Sequence, residues 1–393
     1  MTLTKPYYPH APIASIGALA TCLGVPPKLL VDISNSIDRS YTKFLLPPKN
    51  GKEREVCEPK YELKRLQKRI NSRILEKVQY PPYLQGGIKD RKSVRDYVQN
   101  SKIHAGSVFL ISLDVRNFYP SVKAEYVFEV FSKLFKFPDD VAGILTSLVT
   151  LSGRLPQGAC TSSYIANLIF FNSEYSLYNF LSSQGYSYSR LLDDIAISSQ
   201  KIISQDDAVK LIKRVAAMCT KYGLKLNNKK TKTERSDDLS AEYKVTGVWV
   251  GHGVPKLRRK DRDYIRHLVY ICEKEYSKCN SSEDYHSLWN RVSGQVSKLA
   301  RFEHVQAEAL RLRMKKILPI FDIKGRTKVQ SEALKLLRRK DSLHSRIGVI
   351  NKYNSVLNAL GILSRTDKAV AKSLRRRLKE KYSNIPTKAE IWE

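Results

Sequence analysis

The chain has 393 residues, room for two to three domains and a sizeable core. Its 69 Lys and Arg against 38 Asp and Glu leave a net charge of +31, which points to a polyanionic partner. No run of about 18 apolar residues marks a membrane span, and Met1–His10 lacks the charged-then-apolar order of a signal peptide. Six single cysteines without a C-x-x-C pair read as reduced thiols of a cytosolic protein.

Helical spacing starts at Ile13, with Ile16, Leu19, Ala20 and Leu23 on the same face, and Gly24-Val25-Pro26-Pro27 ends it. A second short helix is expected over about 28–38. Phe44 to Val56 predicts a β-hairpin turning at Asn50-Gly51, with Lys49, Lys52 and Arg54 on its arms. Such a hairpin is ordinarily just solvated; its functional form is a flap that lays cations on phosphates. From Pro59 a periodic helix sets Leu63, Leu66, Ile70 and Ile74 inward. Lys64, Arg65, Lys68, Arg69 and Arg73 are expected outward, a basic face suited to a nucleic-acid backbone. Gln85-Gly86-Gly87 and the box Asn100-Ser-Lys-Ile-His104 follow; taken alone, His104 reads as a satisfied, half-buried histidine.

Val108–Leu113 is an apolar run of strand length that delivers Asp114 at its end, where the residue serves equally well as a cap or a ligand. Leu155-Pro156-Gln157-Gly158 precedes a long apolar helix expected over 161–183, and its Gln-Gly loop offers free N–H groups and close approach. Tyr186 to Ser199 reads as two short strands with Asp193-Asp194 at their junction. An isolated Asp-Asp is ordinarily a solvated turn. Ser204 with Asp207 caps a helix that Gly223 stops, Leu224 to Thr231 is a lysine-bearing return, and Lys244–Val250 reads as one strand. Asp114 with Asp193-Asp194 could hold two divalent cations about 3.5–4 Å apart. Mg2+ suits such hard oxygen ligands, with Mn2+ able to substitute.

In this order the motifs resemble those of reverse transcriptases: Lys49 to Arg54, Asp114-x4-Tyr119, Leu155-Pro-Gln157-Gly158, Leu191-Leu-Asp193-Asp194, Gly223 to Thr231, and the strand after Lys244. Asn100-Ser101-x-x-His104 resembles the Asn-Ala-x-x-His box of bacterial retron-type and defence-associated enzymes, and Val245-Thr246-Gly247 matches their VTG triplet. The resemblance implies an α+β right-hand polymerase. Its N-terminal helices and fingers would occupy 1–107, and a palm with an antiparallel sheet 108–250, interleaved with a fingers segment at about 123–155. A helical basic thumb over 251–322 and a helical basic C-terminal extension over 323–393 would follow.

The same resemblance implies Asp114, Asp193 and Asp194 as metal ligands, with the Val115 carbonyl as a backbone ligand. Tyr119 would be the steric gate against a ribose 2′-OH. Arg54 with Lys49 or Lys52 would hold the incoming triphosphate, and Gln157 and Gly158 would pack on the nucleotide. Lys230, next to Lys229, would be the general acid toward pyrophosphate. Asn100, His104, Val245, Thr246 and Gly247 are expected to contact RNA and template, as are Arg258, Arg259 and Lys260 at the start of the thumb. Two residues depart from the family pattern: Leu191 replaces its usual Tyr, and Ser163 its common Pro. The first implies altered primer or template handling, not a dead site.

Beyond Pro255 the chain reads as basic helices, at 260–278, 283–302 and 304–317, with a turn near Ser293-Gly294 that resembles a retron thumb. After Phe321 come Lys335-Leu-Leu-Arg338-Arg339-Lys340 and Arg375-Arg376-Arg377. These are either solvated faces or part of a module for structured RNA or a neighbouring protomer. No second acidic cluster and no His/Cys cluster predicts a separate nuclease. The expected activity is an RNA-directed DNA polymerase of the bacterial cytoplasm, making cDNA from dNTPs on a dedicated structured noncoding RNA in antiphage defence. Its product would be a DNA/RNA hybrid, and its partners could include a second copy or a neighbouring gene's protein. A group II intron-like mobile-element enzyme and a catalytically silent RNA-binding scaffold are the alternatives. The missing endonuclease and the VTG triplet count against the first, and the three retained aspartates against the second.

Overall fold

The computed structural model describes residues 3–49, 52–90, 93–238, 240–340, 346–387 and 390–392. The expected Asn50-Gly51 turn lies outside the described residues, as do the side chains of Lys49 and Lys52. The first compact unit runs to Lys256 and the second spans Leu257–Ile391.

Near the N-terminus, helix Ile16–Leu23 begins one turn later than the apolar spacing suggests. Ser15 accepts a hydrogen bond from the Ala18 N–H and so sets the start, and Gly24, at φ 63°, closes the end. Helix Pro27–Asn35 follows, then the antiparallel hairpin of β1 (Tyr41–Lys49) and β2 (Lys52–Pro59). Helix Tyr61–Arg73 buries Leu63, Leu66 and Ile70 as its periodicity predicts. Its basic face is not wholly outward, however. Arg69 is buried, and its Nη1 donates to the carbonyls of Leu23 and Gly24, while Arg73 donates to Cys22. Those carbonyls end the Ile16–Leu23 helix and lack intrahelical partners, so two cations are spent on a helix C-terminus.

One five-stranded sheet organises the first unit, in the order β3 (Leu84–Gln85), β5 (Ser187–Leu191), β6 (Asp194–Ser199), β4 (Phe109–Asp114), β7 (Lys232–Arg235). It is antiparallel except where the short β3 runs parallel to β5. β4 sits between two neighbours with Leu110 and Ile111 fully buried, as a central strand must.

Three elements differ from their sequence patterns. The helix expected over 161–183 is two, Ser162–Leu168 and Glu174–Ser183. The break stacks the Phe170 ring on Phe118 and turns Glu174 inward to a buried arginine. The strand expected over Lys244–Val250 is a tiny hairpin of β8 (Lys244–Val245) and β9 (Val248–Trp249). Thr246 and Gly247 both take positive φ at its turn, 48° and 80°, the geometry of a tight two-residue hairpin loop. The turn expected near Ser293-Gly294 is absent: helix Glu283–Arg301 runs straight through it. Val292, Val296 and Leu299 keep the helical period, and Gly294 faces open space.

In the second unit, helices Arg259–Lys278, Glu283–Arg301 and Gln306–Lys316 pack around one apolar cluster. Helices Ile323–Leu337, Ile347–Leu363 and Lys368–Lys381 pack around another. His286 joins the two, accepting the Phe321 ring against its own and hydrogen bonding to the Ile320 carbonyl. Among the described residues no single helix is long and apolar enough to cross a membrane.

Candidate active site

The antiparallel register of β4 and β6 pairs Asp114 directly with Asp194. Asp193 completes the group from the turn before β6, and the Val115 N–H donates to its carbonyl at 2.9 Å. The 224–231 return lies along the end of β4. Its Asn227 donates from its backbone N–H to the Asp114 carbonyl at 2.8 Å and from Nδ2 to Oδ1 at 3.1 Å. Lys230 Nζ takes the other carboxylate oxygen at 2.6 Å. That bond raises the lysine pKa, with the charge of Asp114 adding to it. Asn227 carried no expected role; its sequence signal is only its place in the return that delivers Lys230.

Removal from bulk water raises the Asp193 carboxyl, and Asp114 raises it further, while Lys230 and Arg54 pull it down. Asp194 is pushed up to about 6, by withdrawal from water first and then by the charges of Asp193 and Asp114. The site therefore holds more negative charge than its own cations neutralise. Hard oxygens with surplus charge are the donor set a divalent cation prefers, and no described hydrogen bond ends on the Val115 carbonyl beside them. Among the described residues no three such side chains close around one point as they stand. Asp114 is turned toward Lys230 and Asn227.

The turn itself depends on an interaction that sequence reasoning missed. Leu192 takes φ 59°, unusual for a branched residue. Arg190, with no exposed surface, donates from Nη1 to the Leu192 carbonyl at 3.2 Å and from Nη2 to the Asn167 carbonyl at 3.0 Å. Its charge is met by Glu174, at 2.6 Å from Nε and 2.7 Å from Nη2, and Tyr188 donates to the same carboxylate. The available signal was strand alternation, which puts Arg190 on the inward face with Tyr188.

Other expected site residues converge to different degrees. Tyr119 is pushed up to about 12 by burial and then by the Asp193 charge, so its phenol stays protonated beside the carboxylates. The Gln157 carbonyl accepts from the Cys57 N–H at 2.8 Å, which fastens the Gln-Gly loop to β2, the strand that carries Arg54. Gly158, at φ 110°, has no room for a side chain: a Cβ would lie 2.7 Å from Val56 Cγ1.

A cleft of about 390 Å3 joins Asp114, Asp194 and Lys230 to Asn100 and to Val245, Thr246 and Gly247. His104 lies behind it. Its ring nitrogens are taken by Ser198 Oγ at 2.8 Å and Ser189 Oγ at 2.7 Å, and Ser189 donates on to Asn100. Burial lowers its pKa to about 3, so the ring is a neutral bridge between β5 and β6. The RNA contact expected of His104 is thus not open to this side chain, which is 1% exposed. Arg258, Arg259 and Lys260 start the first helix of the second unit, where Arg259 is exposed and 3.8 Å from Asp263.

The two departures from the family pattern meet at one place. Leu191 lies on Gly86, where a Cβ would come within 2.8 Å of its Cγ. Ser163 lies on Gly87 and donates to its carbonyl at 3.2 Å, a bond that a proline could not make.

Glu174→Gln is expected to cost about 3–5 kcal/mol in chemical denaturation, because it leaves a buried guanidinium charge unmatched. Gly86→Ala is expected to lower catalytic activity at unchanged fold, and Leu191→Ala added to it should restore part of the loss. An additive double mutant would show that the contact does not matter.

The reverse transcriptase (RNA-dependent DNA polymerase) family model matches residues 46–253. The chain is 45% identical over 377 residues to Retron Se72 reverse transcriptase of Salmonella heidelberg, covering 96% of this chain and 98% of that protein. It is 31% identical over 327 residues to Retron Ec48 reverse transcriptase of Escherichia coli, covering 80% and 79%. Retron Ec86 reverse transcriptase, also of Escherichia coli, is 29% identical over 243 residues, covering 62% and 72%. With a match over more than half the chain and a relative aligned from end to end, the chain belongs to the retron reverse transcriptases and is an RNA-directed DNA polymerase of the right-hand fold.

Proposed function

We propose that this polymerase copies a dedicated structured noncoding RNA into cDNA by two-metal nucleotidyl transfer, in the bacterial cytoplasm and in defence against phage. The observation that carries the chemistry is the pairing of Asp114 with Asp194 across β4 and β6, with Lys230 on Asp114 and Arg54 within electrostatic reach of Asp193. Asp114, Asp193, Asp194 and the Val115 carbonyl would hold the ions, with Mg2+ the natural choice by ligand hardness. Bound there, such ions lower the pKa of a primer 3′-hydroxyl and offset charge on the departing pyrophosphate.

The protein's own groups do the rest. Arg54, with Lys49 or Lys52, grips the triphosphate, and the Gln157-Gly158 loop packs against the nucleotide. Tyr119 presents an uncharged ring to the sugar and excludes a 2′-hydroxyl. Lys230 keeps its proton on Nζ while Asp114 accepts from it, and delivers that proton to pyrophosphate once Asp114 is otherwise engaged. The Val245-Thr246-Gly247 turn shares the cleft with Asp114 and Asp194, so this triplet would meet nucleic acid beside the reacting end, while Asn100, 1% exposed and accepting from Ser189, supports the cleft from within like His104.

Purified protein with its co-purifying RNA, Mg2+ and labelled dNTPs should yield RNA-templated DNA. Asp193→Asn with Asp194→Asn should abolish it, and product that survives this change would overturn the mechanism. Tyr119→Ala should raise rNTP incorporation relative to dNTP; unchanged discrimination would remove Tyr119 as the gate.

The raised Asp194 pKa gives a pH signature. Its folded value of about 6 lies above the ordinary 3.8, so the fold favours the protonated form. Metal-free protein therefore loses stability from this group as pH rises through that interval. In EDTA, Asp194→Asn should raise the melting temperature above pH 6 and leave it unchanged near pH 4. Equal effects at both pH values would contradict the assignment.

A further inference from the structure

We infer that the three helices after Ile323 carry a docking surface for double-helical segments of a folded RNA, formed by lysine stripes on the first and third helices. This deepens the preceding reading and rests on its structured-RNA partner.

Lys324, Lys328 and Lys335 lie at i, i+4 and i+11 of helix Ile323–Leu337, and all are exposed. Lys368, Lys372 and Lys379 repeat the same spacing on helix Lys368–Lys381, and all are exposed. On an α-helix this spacing keeps three side chains in one row about 16 Å long. The core of these helices is made elsewhere, by Val329, Ala333 and Leu336 on one and Ala371, Leu374 and Leu378 on the other. The lysines therefore contribute nothing to that packing.

A face kept only for solubility mixes both signs, and Glu–Lys pairs four apart support the helix. Here like charges stand four apart, which disfavours each helix. Among the described residues none of the six lysines has an acidic partner. Glu332 pairs with Lys352 and Glu380 approaches Arg376. Asp322 and Asp367 spend oxygens on the backbone N–H groups of Gly325 and Val370 as helix caps. Neither helix has an acid in its first turn. The like-charge arrangement is relieved when phosphates face it.

Aromatic placement selects the form of nucleic acid. Single strands are held by stacking bases on exposed rings. Tyr353 and Tyr382, the aromatic residues of these helices and their end, are buried. Lysine rows without rings suit the sugar-phosphate surface of a duplex, read by charge and shape.

The test uses the full chain with Lys324, Lys328 and Lys335 changed to Gln, with Lys368, Lys372 and Lys379 changed to Gln, and with each set changed to Arg. Probes are a 20-base-pair RNA duplex, a single strand of equal length, and vesicles of anionic phospholipid, with binding followed across salt concentration. Either Gln set should weaken duplex binding by about tenfold or more near physiological salt and flatten the log–log salt slope by about one per lysine that meets a phosphate. The Arg sets should bind as the parent does. Extension of a short DNA primer on an unstructured RNA template should be unchanged, and its loss in the unaltered protein would instead indict the polymerase reading. Unchanged duplex affinity and slope in both Gln sets would overturn the inference. So would loss confined to the single strand or to the vesicles.

Discussion

Arg190 has no exposed surface, and its charge is answered inside the protein by both oxygens of Glu174. The remaining donors of the guanidinium end on main-chain carbonyls of Ala166, Asn167 and Leu192. One side chain thus ties the two helices that follow the Gln-Gly loop to the turn that carries Asp193. A buried pair of this kind adds little net stability over an apolar replacement, but removing one partner is costly. What it supplies here is position: a planar, five-donor group fixes several carbonyls at once, and Leu192 keeps a backbone conformation that a branched residue would otherwise avoid.

The carboxylates pose the opposite problem. Strand register pairs Asp114 with Asp194 and the adjoining turn adds Asp193, and removal from water followed by repulsion from neighbouring carboxylates disfavours the charge of Asp193 and Asp194. Lys230 answers one of them and is itself mostly exposed, so it can be displaced or move. Arg190 thus holds the turn from inside the fold, while the counter-charge on Asp114 comes from an exposed lysine.

Leu191 and Ser163, which depart separately from the family pattern, rest on adjacent glycines of the turn after β3. Gly86 and Gly87 have positive φ, and any Cβ at either position would collide with those two side chains. The loss of a tyrosine at 191 is therefore part of a local packing arrangement with the 85–87 turn and the start of helix Ser162–Leu168. No spacing rule connects positions so far apart in the chain.

The activity, RNA-directed DNA polymerisation, was legible in the residues alone. An apolar run of strand length delivered Asp114, two short β-prone runs bracketed the Asp193-Asp194 turn, the Ser204 cap and Gly223 stop bounded their helix correctly, and the motif order carried the family. Apart from the motif order, which runs from Lys49 to the strand after Lys244, these signals are local, depending on residues within one or two turns of each other. Tertiary structure decided where each polar group spends its charge. It turned Arg69 and Arg73 onto a helix end and buried Arg190 against Glu174. It split the 161–183 helix to bring Glu174 inward, and enclosed His104 between two serines. In each case the partner is a carbonyl, carboxylate or hydroxyl distant in the chain, and periodicity, which registers only apolar faces, has no means of pairing them.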